Sequence, residues 1–137
     1  MKDQELRTKA GDTEKITINL GPVDLGQIDL LVQEGFYSNR TDLIRTAIRN
    51  QLSAHNDVIR QAVTRKSLVL GLQHFSRTDL EAIKRTGDKL QIQVLGLVSI
   101  GNDVTPELAL ETIDGITVLG ALHASPAVKA ALAGRIR

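Results

Sequence analysis

The chain has 137 residues, with 17 basic and 16 acidic side chains, 42% hydrophobic residues and only 2% aromatic residues. This length fits one ordinary domain or two very small ones, and an aliphatic core built on short elements argues against a large catalytic domain. Because the chain has no cysteine, disulfide bonds, thiolate metal sites and cysteine nucleophiles are excluded.

Hydropathy and charge narrow the class of protein further. No apolar run approaches the roughly 18 residues of a membrane helix, and the N-terminus lacks the apolar region of a signal peptide. We therefore expect a soluble, cytoplasmic protein with no membrane partner. Residues 35–66 are mainly basic, whereas residues 91–134 are mainly acidic, which indicates two separate roles. The basic side chains of the first stretch are Arg40, Arg45, Arg49, Arg60, Arg65 and Lys66.

The first elements predicted along the chain are an arm and a strand. Residues 1–14 show no apolar period, which predicts a flexible arm. The next six residues alternate strictly between polar and apolar side chains, which predicts a short strand with one buried face. These residues are Lys15, Ile16, Thr17, Ile18, Asn19 and Leu20. Gly21-Pro22 ends the strand, because proline cannot continue a hydrogen-bonded ladder.

Two amphipathic helices are predicted next. The first runs from about Val23 to Glu34, and Gly35 is well placed to end it. Ser38 is the predicted cap of the second helix, whose apolar stripe continues in the same phase beyond residue 57. This stretch is either one long helix or two helices with a joint near His55 and Asn56.

An internal repeat organises the rest of the chain. The tetrapeptides at residues 69–72, 94–97 and 118–121 each begin with Val-Leu-Gly. Each leads to a helix-start signal, which is Ser76 or Thr78 in the first copy, Thr105-Pro106 in the second and Ser125-Pro126 in the third. A strand–helix unit of about 25 residues repeated three times predicts parallel strands with helices outside. The spacing is that of leucine-rich repeats, although their consensus is absent. We therefore expect an α/β domain that is a short, leucine-rich-repeat-like solenoid only by analogy.

The predicted strand has no partner within its own chain. One strand and two helices bury too little surface to be stable alone, so the unit needs a second copy. Antiparallel pairing of two strands would satisfy both ladders and allow four helices to close a shared core.

This order of elements resembles the ribbon-helix-helix family of DNA-binding proteins, to which the Arc and methionine repressors belong. The resemblance covers roughly residues 15–52, and its most specific part is the turn and helix opening Gly35-Phe36-Tyr37-Ser38-Asn39-Arg40, followed by Ile44-Arg45. It implies an α+β, dimer-forming DNA-binding domain over residues 15–53. The organisation that follows is an arm (1–14), this domain, a helical linker (54–66) and a self-associating repeat domain (67–137).

The chemistry of the strand favours DNA as the partner. A two-stranded ribbon fits the major groove, so the polar residues Lys15, Thr17 and Asn19 are the predicted base contacts. The start of the second helix offers free backbone N–H groups and the positive end of the helix dipole. Ser38, Asn39 and Arg40 are the predicted phosphate contacts, which position the protein rather than read sequence.

Other functions find little support in the sequence. Nickel-responsive regulators that resemble this chain in length require clustered metal ligands, whereas His55, His74 and His123 are widely separated. No catalytic triad, phosphate-cradling glycine motif or dinucleotide fingerprint is present. We expect no enzyme activity, no metal and no cofactor.

The sequence thus predicts a sequence-specific transcriptional regulator, nucleoid-associated, that binds double-stranded DNA as a homodimer, tetramer or longer array. One alternative is a self-assembling scaffold protein whose N-terminal unit serves only to dimerise. Another is an antitoxin-type regulator that binds a partner protein through its repeats, for which no residue identifies the partner.

Overall fold

A computed structural model describes residues 13–137, so the predicted arm over residues 1–14 lies almost wholly outside the described residues. The described residues form two compact units, Thr13–Ala62 and Val63–Arg137.

The N-terminal unit consists of an irregular segment and helices. Residues 13–21 have no regular secondary structure in the single chain, since the predicted strand has no ladder partner there. Helix α1 spans Pro22–Gln33, α2 spans Arg40–Ala54 and α3 spans Asn56–Arg65. The interruption at His55 decides between the two alternatives in favour of two helices with a joint.

The turn that ends α1 depends on one glycine. Gly35 has φ +86°, a conformation that glycine adopts without steric cost. Its N–H donates to the Val32 carbonyl at 3.1 Å, and the Phe36 N–H donates to the Leu31 carbonyl at 3.0 Å. These are the two hydrogen bonds of a Schellman motif, so Gly35 ends the helix as predicted.

The C-terminal unit contains a parallel three-stranded sheet in the order β1-β2-β3. Strands β1 (Val69–Phe75), β2 (Leu90–Ile100) and β3 (Ile113–His123) alternate with helices α4 (Arg77–Thr86), α5 (Pro106–Thr112) and α6 (Pro126–Leu132), and a short 3₁₀ helix spans Ala133–Arg135. The strand–helix alternation predicted from the repeat is therefore confirmed. A leucine-rich-repeat-like solenoid remains an analogy.

The repeat copies lie side by side in register. Val69 pairs with Val94 and Val94 with Val118, while the three repeat glycines, Gly71, Gly96 and Gly120, align in one row across the sheet. The predicted Ser or Thr caps are also found, at the N-termini of α4, α5 and α6. The sequence repeat is thus a structural repeat with one strand and one helix per copy.

The first of these caps forms two reciprocal hydrogen bonds. The Asp79 N–H donates to Ser76 Oγ at 3.1 Å, and the Ser76 N–H donates to Asp79 Oδ2 at 3.0 Å. The backbone hydrogen bond from Ser76 holds the pKa of the Asp79 carboxyl below its usual range. This capping box fixes where α4 begins after β1.

The core lies between one face of this sheet and the helices. The hydrophobic side chains buried in this core are aliphatic, as the composition predicted. They come mainly from α4, α5 and α6 and from β2 and β3. The largest are Leu80, Ile113, Ile116, Leu132, Val94, Val98 and Val128. The one buried polar side chain among the described residues, Thr112, donates to the Leu108 carbonyl at 2.7 Å.

Candidate nucleic-acid interface

The segment that precedes α1 is exposed along its whole length. Lys15, Thr17 and Asn19, the predicted base contacts, are all exposed, and so are the apolar residues between them. The exposed fraction is 75% for Ile16 and 57% for Ile18. Two β-branched apolar side chains in water are unusual for a stable surface, so this segment presents an uncovered apolar edge beside three groups that can hydrogen-bond.

The helices of the N-terminal unit are equally uncovered. No residue between Thr13 and Ala62 is buried. Large apolar side chains on α1 and α2 remain substantially exposed, among them Leu30 at 56% and Leu52 at 55%. A unit of this size that buries no side chain has no core of its own. It needs contact with further apolar surface to be stable.

An ion pair joins α1 to the start of α2. Arg40 Nε donates to Asp29 Oδ1 at 2.8 Å, and Arg40 Nη2 donates to Asp29 Oδ2 at 2.9 Å. The hydrogen bond from Arg40 holds the pKa of the Asp29 carboxyl below its usual range, and the same bond raises the pKa of Arg40. Both side chains are about half exposed, at 55% and 51%, so the pair orients the guanidinium and adds little stability.

The N-terminus of α2 is capped one residue later than the sequence predicts. The cap is Asn39, whose Oδ1 accepts the Asp42 N–H at 2.8 Å. Ser38 instead donates its own N–H to Asp42 Oδ2 at 2.9 Å. The prediction that Ser38 caps this helix is wrong, because Ser and Asn are both good caps and stand next to each other in the sequence.

A shallow depression of about 350 Å³ lies beside this helix start, and two arginines line it. Its lining residues are Ser38, Asn39, Thr41, Asp42, Arg45 and Arg49. Arg45 and Arg49 are four residues apart and therefore share one face of α2 with the first turn. The depression thus has two guanidinium groups and one carboxylate, and it lies next to the positive end of the helix dipole. This charge distribution favours the binding of an anion.

The structure brings together some of the predicted phosphate contacts and separates others. Ser38 and Asn39 line the same depression, whereas the Arg40 guanidinium is bound to Asp29 and does not line it. Arg45 and Arg49 were not among the predicted contacts. Their four-residue spacing after the helix start is the signal that could have identified them.

Other kinds of site are not found in the part of the chain that the structure describes. Residues 13–137 contain no group of three or more His, Asp or Glu side chains arranged to hold a metal ion. Over the same residues, no helix combines the length and the apolar character that crossing a bilayer requires.

An exposed polar-apolar segment, two helices without a buried side chain and an arginine-lined helix start therefore occur together in the N-terminal unit. In a comparison with protein families, the model of the Ribbon-Helix-Helix transcriptional regulator family matches residues 11–129. The chain belongs to this family. Its members are DNA-binding transcriptional regulators that usually dimerise and are generally not enzymes.

The family match extends well beyond the N-terminal unit. It runs through β3 and into α6, so it includes most of the strand–helix repeats. No curated protein and no solved structure shows a significant match to the chain.

Proposed function

We propose that this chain is a sequence-specific transcriptional regulator that acts as a homodimer, with an antiparallel two-stranded ribbon in the DNA major groove. The observation that carries the proposal is the N-terminal unit, which has no buried residue and begins with a fully exposed polar-apolar alternation. A second copy is the simplest structure that covers it. The site of action is the cytoplasm, at the nucleoid.

Pairing two copies of residues 15–20 gives each strand its missing ladder. The apolar side chains of Ile16, Ile18 and Leu20 then turn together toward the helices, and Lys15, Thr17 and Asn19 turn toward the DNA. Lysine donates to guanine O6 or N7, asparagine pairs with adenine, and threonine offers a hydroxyl and a methyl group for thymine. Two chains would present six such side chains to the groove.

The start of α2 supplies phosphate contacts in this proposal. The N–H groups of Arg40 and Thr41 precede the first intrahelical hydrogen bond, which the Leu43 N–H makes to the Asn39 carbonyl. Arg45 and Arg49 add positive charge on the same side, whereas Asp29 balances the charge of Arg40 in the free chain. A phosphate bound here would fix the position of the ribbon on the duplex.

The arginines are expected to set the salt dependence of binding. Replacing Arg45 or Arg49 by Gln should weaken binding to all DNA sequences and lower the slope of log affinity against log salt by about 0.9 for each lost phosphate contact. Arg40→Gln should have the same effect, because the Arg40 guanidinium is about half exposed and can exchange Asp29 for a phosphate. Titration of labelled duplex by fluorescence anisotropy at several salt concentrations measures these slopes.

Arg65→Gln is the matched control, since it removes the same charge at the end of α3, outside the depression. An equal decrease in slope for Arg65→Gln would show that net charge, and not this helix start, determines the salt dependence.

The repeat unit is proposed to add self-association. In the described chain one edge of the sheet, that of β1, has no strand beside it, whereas the edge of β3 is partly covered by a bridge between Ile116 and Ile136. Self-association through repeat units would join ribbon dimers into tetramers or arrays, which bind repeated operators with avidity.

Selection of DNA from a random duplex library, with light scattering on the same sample, tests the proposal. Recovery of a short, repeated motif is the expected result, and the motif spacing would report how the dimers are arranged. Large particles without DNA, together with no recovered motif, would contradict it and would favour a scaffold protein.

A further inference from the structure

The sheet of the repeat unit has one face that its own helices α4, α5 and α6 leave uncovered. Side chains alternate along each strand, so the residues that flank the buried Val94 and Val98 point away from the core. None of these flanking residues belongs to the buried cluster. Two of these flanking residues, Leu95 and Leu97, lie in apolar rows that run across the three strands. The first row is Leu70, Leu95 and Leu119, and the second is Leu72, Leu97 and Ala121. We call these six residues the leucine face.

The outer residues of the leucine face are strongly exposed. Leu70 is 67% exposed, Leu72 60% and Leu119 53%, whereas Leu97, near the middle of the face, is only 8% exposed. Parallel sheets are normally covered on both faces, because both sides of their strands are apolar. Within Val63–Arg137, helices α4, α5 and α6 cover one side only. A contiguous leucine patch of this kind marks an interaction surface.

The leucine face itself contains no ionisable side chain. The next row contains His74, Ser99 and His123, and His74 Nδ1 lies 3.1 Å from Ser99 Oγ, which places both side chains on this face. On the other side, Gln93 pairs with Thr117. A partner selected by charge has nothing to recognise here. Two copies of the same face meet without bringing like charges together.

We infer that the leucine face binds the leucine face of a second copy of this chain. An isologous contact of this kind needs a self-complementary patch, and an uncharged double row of leucines meets that condition. The inference deepens the proposed self-association and rests on that part of the proposed function, not on the ribbon.

The two interfaces can be separated by variants of the full chain. Ile18→Asp places a charge in the apolar row of the ribbon and removes the ribbon dimer, while the repeat unit keeps its own core. In this background we expect sedimentation equilibrium to give twice the mass of one chain. Adding Leu70→Gln, Leu72→Gln and Leu119→Gln should raise the dissociation constant roughly a hundredfold and give the mass of one chain.

The three glutamines replace side chains that are more than half exposed, so they leave no cavity in the core. Circular dichroism checks that the fold is retained. Ala130→Gln, on the exposed surface of α6, is the control that adds the same polar group to the helical side and should leave the mass unchanged.

Each outcome decides the inference. A monomeric Ile18→Asp chain would overturn it and would direct attention to a different protein as the occupant of the leucine face. A dimer, or any larger species, that survives the three glutamines would also overturn it and would place the contact elsewhere, for example at the open edge of β1. The triple leucine variant with an intact ribbon should still bind a single DNA site, so loss of DNA binding by Ile18→Asp tests the proposed function separately.

Discussion

Replacing Lys15, Thr17 and Asn19 together by alanine is expected to abolish sequence-specific DNA binding while the dimer remains folded. All three side chains are exposed, and none takes part in the buried core of the repeat unit. Each base contact of this kind contributes about 1–3 kcal/mol of discrimination, and a dimer loses six of them. The remaining affinity should equal that for random duplex DNA, which the phosphate contacts supply.

Competition binding measures this loss directly. A labelled duplex that carries the selected motif is displaced by unlabelled motif and by unlabelled random duplex, and the ratio of the two affinities is the specificity. For the triple variant this ratio should fall to about one. Sedimentation of the same sample should still give a dimer.

The matched control is Glu34→Ala together with Gln33→Ala, at the exposed end of α1. These changes remove polar surface in the same unit but not on the ribbon, so specificity should be retained. If the Lys15, Thr17 and Asn19 variant still selects the same motif, the ribbon does not read the groove.

The sequence identified the local signals reliably because they depend on a few neighbouring residues. The caps of α5 and α6 were found as predicted, and of the two candidates at α4 the cap is Ser76. A side-chain oxygen that accepts from a backbone N–H three residues later needs no tertiary context. At α2 two equally good caps stand in succession, so the choice between Ser38 and Asn39 depended on the geometry of the turn. The error was one residue.

Tertiary contacts were not predictable in the same way. The bond between Arg40 and Asp29 joins residues 11 apart across a turn, so no spacing rule indicates it. The three Val-Leu-Gly strands are apolar on both faces, and sequence alone does not say which leucines the helices cover. Only the register of β1, β2 and β3 separates the buried valines from the exposed leucine face.

Gly96→Ala is expected to be among the most destabilising single substitutions in the repeat unit. Gly96 has φ +144°, a region that residues with a side chain rarely adopt. A Cβ at this position would also overlap the carbonyl oxygen of Gly71 on the neighbouring strand. Backbone strain of about 1–3 kcal/mol and a steric conflict that forces β1 away from β2 act together, so we expect several kcal/mol of lost stability.

The glycine row itself supplies the matched comparison. Gly120→Ala should be as damaging as Gly96→Ala, because its Cβ would overlap the carbonyl oxygen of Gly96 and its φ is +128°. Gly71→Ala has a similar φ of +129° on the edge strand, but its Cβ would meet no atom within 4 Å. Its loss of stability should therefore come from backbone strain alone, about 1–3 kcal/mol.

Urea unfolding followed by circular dichroism measures the free energy of unfolding for the three variants. Both glycines share the same kind of backbone conformation. The difference in free energy of unfolding between Gly96→Ala and Gly71→Ala therefore measures the cost of the steric conflict with the neighbouring strand. Equal losses would mean that the strands move apart at little cost at this row. A larger loss at Gly96 would explain why glycine occurs in the second and third repeats, where the carbonyl of the preceding strand occupies the place of a side chain.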